Sequence, residues 1–228
     1  MGAFTGNNTL VLVFARSAQA EMEHKPIAQG ASLFDTLTEQ TLKTAQKTGL
    51  DVVHLNETLQ VGATFGEKFT NALERFFALG YQQIIAVGND APELKKHHIL
   101  TALKRLDKKN MVVGPDKDGG CYLLGIHAEQ FCAAKFRQLP WQTARTATAL
   151  MRLASEQGSA VVQLARLLDI NTTKDLYRYV SVVKKASGQL LAAILLILRP
   201  KPSRNPYVEQ LVTIPHGSIP FNKGSPRM

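Results

Sequence analysis

Two short apolar runs, each ending in a turn of glycine and aspartate, constrain the fold more than any other part of the sequence. The first, residues 84–87, leads into residues 88–92 (GNDAP), and the second, residues 111–113, leads into residues 114–120 (GPDKDGG). Continuous apolar runs of this length are typical of strands covered on both faces. Ligands of open α/β sheets bind beyond the carboxyl ends of such strands. The two turns are therefore predicted to form a binding site at one edge of a sheet.

The rest of the chain is predicted to alternate between strands and helices. Further strands are expected at residues 9–14, 51–55, 121–126 and 160–164, and helices at residues 32–48, within 60–79, and at 93–106, 141–156 and 190–198. The connection from residue 113 to residue 121 is too short for a parallel crossover, so the strand at 121–126 should break the parallel order. Strands that alternate with helices in this way indicate an α/β sandwich.

The segment after the first strand, residues 15–26, is predicted to be a polar loop. It contains no glycine, so neither a GxGxxG fingerprint nor a P-loop is present. Arg16 and Lys25 could supply positive charge to a phosphate. A solvated surface loop is the alternative, and the sequence leaves both interpretations open.

The cysteine content and the two ends of the chain indicate its cellular setting and its domain boundaries. With two cysteines and no basic segment followed by a long apolar stretch at the N-terminus, a reducing cytoplasm is the expected setting. The apolar run at residues 190–198 is far shorter than the roughly 20 residues that span a bilayer. Residues 200–228 contain six prolines and resemble an extended arm. We expect a domain at residues 1–182 and a C-terminal helix with a basic arm at 183–228, through which copies of the chain could assemble.

The charge balance favours an anionic small-molecule ligand. The chain has 27 basic and 18 acidic residues, a net charge of +9, and a moderate excess of this kind suits nucleotides or phosphosugars. Basic and aromatic residues are not interleaved, and no nucleic-acid motif is present. Nucleic acid is therefore not a predicted partner.

Three acidic turns could together hold a metal ion. Asp90 and Asp118 each follow a predicted strand, and Asp169 and Asn171 could bring oxygen ligands from a third loop. Oxygen-rich, cysteine-poor surroundings fit Mg²⁺ or Mn²⁺ rather than zinc. A cation that bridges two phosphates neutralises charge on a departing diphosphate. Taken singly, each aspartate could instead cap a turn or a helix, which is a common role for this residue.

Four motifs occur in order along the chain: residues 88–92 (GNDAP), 114–125 (GPxxDGGxYLLG), 141–143 (WxT) and 169–176 (DINTxxDL). With the upstream residues 60–62 (QxG) and 65–68 (FGxK), they resemble those of a bacterial family of mostly uncharacterised GT-A-like transferases. Its members are often labelled glycosyltransferases, and some are associated with arsenosugar or radical-SAM gene neighbourhoods. The resemblance covers roughly residues 9–180.

The resemblance implies a GT-A, or nucleotide-diphospho-sugar transferase, fold: a three-layer sandwich with a mixed, mainly parallel sheet. It also implies a nucleotide-sugar or nucleotide site at the carboxyl edge of that sheet. Asp90 matches the metal-binding position. Asp118 would be the catalytic carboxylate, and Gly119 and Gly120 would line the sugar or acceptor side.

The same resemblance assigns the remaining candidate residues. Asn89, Trp141 and Thr143 belong to the matching motifs and are expected to contact substrate. Asp169 and Asn171 match the late acidic motif, where a second carboxylate is usual and asparagine stands in its place. The first loop departs from the family, which commonly has a glycine-containing loop ending in Lys-Thr-Arg-Leu. Only Lys25 retains one of those charges.

Three functions follow as alternatives. The first is metal-dependent transfer of a glycosyl group from a nucleotide-sugar to a small-molecule acceptor, with Asp118 orienting or deprotonating the acceptor hydroxyl. The second is guanylyltransferase-like nucleotidyl transfer to a phosphorylated small molecule, which needs a triphosphate grip in the first loop. The third is a non-catalytic protein that keeps the fold and binds a nucleotide or sugar.

Overall fold

The structure, a computed structural model, describes residues 8–183 and 186–199, and it contains one six-stranded sheet. The strands are β1 (Thr9–Phe14), β2 (Asp51–Leu55), β3 (Gln83–Val87), β4 (Asn110–Pro115), β5 (Cys121–His127) and β6 (Ala160–Gln163). Their order across the sheet is β2-β1-β3-β5-β4-β6. β5 runs antiparallel to β3 and β4, and the other pairs are parallel. The predicted break in the parallel order is thus confirmed.

Helices cover both faces of this sheet. They are α1 (Ala18–His24), α2 (Ala31–Gln46), α3 (Phe65–Ala78), α4 (Lys96–Arg105), α5 (Ala133–Arg137), α6 (Thr146–Glu156), α7 (Thr173–Val182) and α8 (Gly188–Leu198). Short 3-10 turns lie at Glu57–Leu59 and Ala128–Gln130. A capping box begins α3, because the Thr64 hydroxyl accepts a bond from the Glu67 N–H and the Glu67 carboxylate accepts one from the Thr64 N–H. None of the helices within residues 8–183 and 186–199 has the length and apolar character needed to cross a bilayer.

The alternation of side chains along each strand divides the core into two layers. Leu10, Leu12 and Ile84 point into the layer that α3 and α6 cover, whereas Val11 and Ile85 point into the layer of α2 and α4. A third cluster joins α1, α2, α7 and α8 beside the sheet. Because both faces are covered, the central strands are apolar throughout. This confirms the α/β sandwich with a mixed, mainly parallel sheet.

The pairing brings the predicted turns to one edge. β1, β3 and β4 point the same way, so residues 15–16, 88–90 and 116–120 all follow strand ends at the same side of the sheet. The backbone N–H of Ile170 donates to the Asp90 carbonyl over 2.9 Å, which places the late acidic loop there as well. The sheet edge therefore collects all three predicted acidic turns.

Three predicted elements differ in the structure. The predicted loop at residues 15–26 contains helix α1, whose first turn is capped by Ser17 accepting from the Ala20 N–H. The helix predicted from residue 93 begins at Lys96. The helix predicted from residue 141 begins at Thr146, because Gln142 has φ +56°, a left-handed conformation that a helix cannot contain. The predicted arm at 200–228 lies outside the described residues.

Candidate functional site

A cavity of about 770 Å³ opens at the carboxyl edge of the sheet. The ends of β1, β3 and β4 form its floor, and residues 63–69, 141–146 and 169–171 form its walls. Ten of the eleven residues proposed from the sequence line it: Arg16, Lys25, Asn89, Asp90, Asp118, Gly120, Trp141, Thr143, Asp169 and Asn171. The eleventh, Gly119, is not among the residues that line the cavity. The fold thus gathers residues from five separate segments around one space.

Three carboxylates meet at one end of this cavity. They belong to Asp90, Asp116 and Asp169, and the last two are buried. Burial raises the pKa of Asp169 to about 7, and the negative charges of Asp90 and Asp116 act in the same direction. The Oδ1 atom of Asp169 is buried and has no hydrogen-bond donor among residues 8–183 and 186–199. An unpaired carboxylate oxygen beside other carboxylates calls for a proton or a cation.

Asp116 is the carboxylate that sequence reasoning missed. Its Oδ1 atom accepts from the backbone N–H groups of Asp118 (2.8 Å) and Gly120 (2.7 Å), so it shapes the turn between β4 and β5. Burial raises its pKa, the charge of Asp90 adds to this rise, and the two backbone bonds oppose it. Its position directly after an apolar strand is consistent with a site residue. The Asp118-Gly119-Gly120 sequence, however, resembles the family motif and therefore favoured Asp118.

Lys25 supplies a positive charge from within the chain. Its Nζ atom lies 3.3 Å from Asp90 Oδ2, 3.5 Å from Glu21 Oε2 and 3.1 Å from the Ile170 carbonyl oxygen. Burial alone would lower the pKa of Lys25, but the charges of Asp90 and Glu21 outweigh it and raise the pKa. The predicted phosphate-binding lysine therefore pairs with the predicted metal-binding aspartate.

These residues fit a divalent cation that shares its coordination shell with a ligand. No group of three His, Cys, Asp or Glu side chains able to hold a metal ion occurs in the described part of the chain. Mg²⁺, however, is usually bound through one or two carboxylates together with substrate phosphates and water. Asp90 is partly exposed and Asp169 has an unpaired oxygen, so both can contribute to such a shell.

Asn171 and Asn89 make contacts within the protein. The Asn171 side-chain amide donates to Asp169 Oδ2, and its backbone N–H donates to Asp175 over 3.2 Å. Asn89 is buried and donates to the Thr38 hydroxyl over 2.9 Å. Both residues thus hold the acidic turns in place, while their side chains still border the cavity.

The turn that carries Asp118 stands at the mouth of the cavity. The Asp118 side chain is 58% exposed and lies 3.8 Å from Arg178 on α7. Gly119 has φ +94°, and its carbonyl oxygen accepts from the Ala147 N–H at the start of α6 over 3.1 Å. A Cβ atom on Gly120 would overlap the Asp116 carboxylate. Both glycines are therefore required by close approaches within the protein.

Aromatic side chains form one wall of the cavity. Phe65 and Phe69 stack with ring centroids 5.8 Å apart, and Trp141 meets Phe69 edge-on at 5.0 Å. The Trp141 indole N–H donates to the Phe136 carbonyl over 2.7 Å, which fixes the ring. Thr143 donates to the Pro140 carbonyl over 2.7 Å and borders the same wall. Phe65 and Phe69 of α3 thus provide an apolar surface to the cavity.

The segment after β1, residues 15–26, does not present free hydrogen-bond donors to a phosphate. The Glu57 carboxylate accepts from both the backbone N–H (2.7 Å) and the hydroxyl (2.6 Å) of Ser17, at the start of α1. Arg16 lies 4.0 Å from Glu21, a buried carboxylate that also contacts Lys25. The protein's own carboxylates thus occupy the donors that a triphosphate would use there.

The pKa of Asp169 predicts a pH dependence of stability that the variant Asp169→Asn should remove. Because the folded chain keeps a proton that the unfolded chain loses between about pH 4 and pH 7, the free energy of unfolding should fall as pH rises through this window. We expect Asp169→Asn to gain stability relative to the natural chain between pH 4.5 and pH 7.5, measured by urea unfolding with EDTA.

His98, whose pKa burial lowers to about 4, has the opposite effect on stability in the same window. It is present in both proteins and cancels in their difference. Parallel stability curves for the two proteins would show that Asp169 does not titrate in this range.

One solved structure shows a shared fold. The chain is similar to a Desulfovibrio desulfuricans G20 protein provisionally described as a nucleotide-diphospho-sugar transferase, with 22% identity, 84% of this chain and 97% of that chain covered, and a TM-score of 0.69. A Mycobacterium tuberculosis protein solved with manganese follows with 15% identity, 78% and 100% covered, and a TM-score of 0.48. A nucleotidyl transferase from Methanothermobacter has 18% identity, 75% and 96% covered, and a TM-score of 0.45.

A family profile covers part of the site. A search of curated proteins found no match. A family profile, described as an uncharacterized protein conserved in bacteria (DUF2064), matches residues 27–143, slightly more than half of the chain. The match includes Asp90, Asp116 and Asp118. Because this match covers more than half of the chain, the chain belongs to the DUF2064 family.

Proposed function

We propose that this protein is a glycosyltransferase that binds a nucleotide-sugar and a divalent cation, Mg²⁺ or Mn²⁺, in the cavity at the sheet edge. The observation that carries the proposal is the unpaired Asp169 oxygen beside Asp90 and Asp116, an acidic end of the cavity that a cation would neutralise while it also binds the phosphates of the ligand. The aromatic wall of Phe65 and Trp141 would contact the base or the sugar.

Asp90 and Asp169 would hold the cation. The side-chain oxygen of Asn171 is a further candidate ligand. A cation bound there would neutralise charge on the departing nucleoside diphosphate. Lys25 would move from Asp90 toward the phosphates, because its ammonium already lies at the cavity wall. Arg16 is a second positively charged side chain that lines the cavity. It would release its 4.0 Å contact with Glu21 and bind a phosphate instead.

Asp118 would act on the acceptor. Its exposed carboxylate lies at the cavity mouth, where an acceptor hydroxyl could approach from solvent and transfer its proton to the carboxylate. Gly120 and Thr143 border the same opening and would contact the acceptor or the sugar. The roles of all these residues rest on their positions around one cavity.

Glycosyl transfer is favoured over nucleotidyl transfer by the contacts of Glu57. Because this carboxylate occupies the Ser17 N–H and hydroxyl, the segment after β1 lacks a free donor set for a triphosphate. The link to arsenosugar or radical-SAM genes, implied by the family resemblance, remains a prediction.

Product analysis tests the proposal. The protein would be incubated with Mn²⁺, a panel of nucleotide-sugars and nucleoside triphosphates, and small-molecule acceptors. Release of a nucleoside diphosphate from one nucleotide-sugar supports glycosyl transfer. Release of pyrophosphate from a triphosphate would instead establish nucleotidyl transfer. A thermal shift with nucleotides but no product with any pair would identify a binding protein without catalysis.

Lys25 gives a second prediction, since it competes with a cation for Asp90. The variant Lys25→Gln should bind Mn²⁺ alone several-fold more tightly, because the ammonium no longer neutralises Asp90 and Glu21. The same variant should bind a nucleoside diphosphate more weakly, since a phosphate contact is lost. Isothermal titration calorimetry measures both affinities.

The variant Lys43→Gln is a matched control, because Lys43 also forms an (i, i+4) ion pair, with Glu39, but on an exposed helix face. It should leave both affinities unchanged. Weaker Mn²⁺ binding by Lys25→Gln would contradict the competition and would indicate that Lys25 orders the site for the metal.

A further inference from the structure

A groove beside the main cavity shares one residue with it. The groove has a volume of about 700 Å³ and lies along helix α7, and its lining residues are Asp118, Lys174, Asp175, Tyr177, Arg178 and Ser181. Asp118 also lines the main cavity, where it is the proposed catalytic carboxylate. The Asp118 side chain therefore borders both spaces.

One face of α7 forms most of the groove. Lys174, Tyr177, Arg178 and Ser181 are spaced at positions i, i+3, i+4 and i+7, which places them on the same side of a helix. All four residues are exposed, and Tyr177 has 59% of its surface open to solvent. This face thus presents two cationic side chains and one aromatic ring to the groove.

The second acidic residue of the groove uses its charge within the protein. The Asp175 carboxylate is buried, and its Oδ2 atom accepts from the Asn171 N–H over 3.2 Å. The same atom accepts from the backbone N–H and from the hydroxyl of Thr172, each over 2.8 Å. Asp175 therefore caps the start of α7, and the exposed charges of the groove are those of Lys174, Arg178 and Asp118.

Both cationic side chains of the groove are available to a ligand. Lys174 forms no ion pair within residues 8–183 and 186–199. Arg178 lies 3.8 Å from Asp118, and the two side chains of this pair are 47% and 58% exposed. An exposed ion pair of this kind contributes little free energy, so an oxyanion can replace Asp118 as the partner of Arg178. The planar guanidinium also matches the geometry of a phosphate or a carboxylate.

From these observations we infer that the groove binds the acceptor, and that the acceptor carries an anionic group, a phosphate or a carboxylate, in addition to the hydroxyl that receives the sugar. The anionic group binds Arg178 and Lys174, and the hydroxyl faces Asp118. This inference rests on the proposed glycosyl transfer, because it names the acceptor class for the same site.

The ion pair of Arg178 with Asp118 then selects acceptors by charge. An anionic acceptor engages Arg178 and releases the Asp118 carboxylate, which accepts the hydroxyl proton. The acceptor oxygen forms its bond to the anomeric carbon of the sugar, and the bond from that carbon to the nucleoside diphosphate breaks, with its electron pair leaving on the diphosphate. A neutral acceptor offers Arg178 no new partner, so Asp118 keeps its ion pair.

An NMR titration without any donor tests the inference independently of catalysis. The full chain, labelled with ¹⁵N, would be titrated with glucose 6-phosphate, glucuronate and glucose, which share a hydroxylated ring and differ in charge. We expect at least one of the two anions to shift the amide signals of residues 118–120 and 174–181, and glucose to leave them unchanged at the same concentrations. The anion that binds more tightly identifies the group as a phosphate or a carboxylate. Shifts with neither anion, or equal shifts with glucose, would overturn the inference.

Two variants should change the affinity for the anionic probe in opposite directions. Arg178→Gln should weaken binding about tenfold or more, because a charge-assisted contact is lost. Asp118→Asn should strengthen binding about two- to fivefold, since Arg178 loses its competing partner. Weaker binding by Asp118→Asn would contradict the exchange of partners at Arg178.

The variant Arg152→Gln is the matched control. Arg152 also forms an exposed ion pair, 3.4 Å from Glu156 on α6, but it lines neither the cavity nor the groove. Its replacement should leave the affinity unchanged, and circular dichroism establishes that each variant is folded. A loss equal to that of Arg178→Gln would show that the anion is attracted by the general positive charge and would overturn the site.

Transfer assays separate this inference from the proposed function. Anion binding that depends on Arg178, without product from any nucleotide-sugar, would count against glycosyl transfer and leave the anion site in place. Equal rates of transfer to glucose 6-phosphate, glucuronate and glucose, unaffected by Arg178→Gln, would support glycosyl transfer and overturn the inference.

Discussion

The variant Gly119→Ala is expected to lose about 3 kcal/mol of its free energy of unfolding. A Cβ atom at this position would overlap the carbonyl oxygen of Ala144, which belongs to the backbone and cannot swing away. Gly119 also has φ +94°, a conformation that costs a residue with a side chain about 1 kcal/mol or more. Forced overpacking adds about 1–3 kcal/mol.

Thermal unfolding measures this effect. For a chain of this size, about 3 kcal/mol corresponds to a decrease in Tm of roughly 10 °C. The variant Gly49→Ala is the matched control, because Gly49 has a similar φ of +80° but no neighbouring atom within 4 Å of the added carbon. It should lose only about 1 kcal/mol. Equal losses in the two variants would show that Gly119 is needed for its backbone conformation alone.

The same substitution should also damage the proposed site. The Gly119 carbonyl accepts from Ala147, so the turn that carries Asp118 is tied to the start of α6. A displaced turn would move Asp118 away from the cavity mouth and weaken the bonds from its neighbours to Asp116. Nucleotide-sugar binding should therefore decrease in Gly119→Ala even at temperatures where the variant is folded.

The second large effect is expected for Asp90→Asn, which keeps the shape of the side chain but removes its charge. Residues that only support a metal ligand typically contribute 10- to 100-fold to metal affinity. A proposed ligand should contribute at least the upper value, so the affinity for Mn²⁺ with a nucleoside diphosphate should fall about 100-fold or more. Lys25, without its partner, would add a net positive charge and repel the cation further.

Much of the fold could be predicted from the sequence because it follows from local patterns. β1 and β2 have the predicted bounds, and β3 begins one residue before its predicted apolar run. The antiparallel course of β5 followed from the length of one connection. These features depend on neighbours in the chain.

The elements that were wrong depend on contacts distant in sequence or on unusual backbone. Helix α1 is only seven residues long and shows no helical repeat of apolar residues, and its Ser17 cap is held by Glu57, 40 positions away. The later start of α6 results from the left-handed conformation of Gln142. A glycine or asparagine at this position would have indicated such a conformation in the sequence, but a glutamine does not.

The position of the site at the sheet edge could be predicted from the sequence, but the contacts between its side chains could not. Strand ends located the acidic turns, and the cavity lies there. The ion pair of Lys25 with Asp90 spans 65 positions, so no spacing in the sequence indicates it. Asp116 was overlooked because its role is to accept bonds from the backbone of the turn that follows. Such pairings become visible only when the three-dimensional arrangement is known.

A Mn²⁺ titration followed by electron paramagnetic resonance tests the central claim most directly, because it reports free Mn²⁺ without requiring the correct acceptor. The natural chain, Asp90→Asn and the exposed control Asp35→Asn would each be titrated with and without a saturating nucleoside diphosphate. We expect the nucleotide to tighten Mn²⁺ binding to the natural chain and to Asp35→Asn, and to have little effect on Asp90→Asn. Identical nucleotide-dependent binding by all three proteins would contradict a metal site at Asp90.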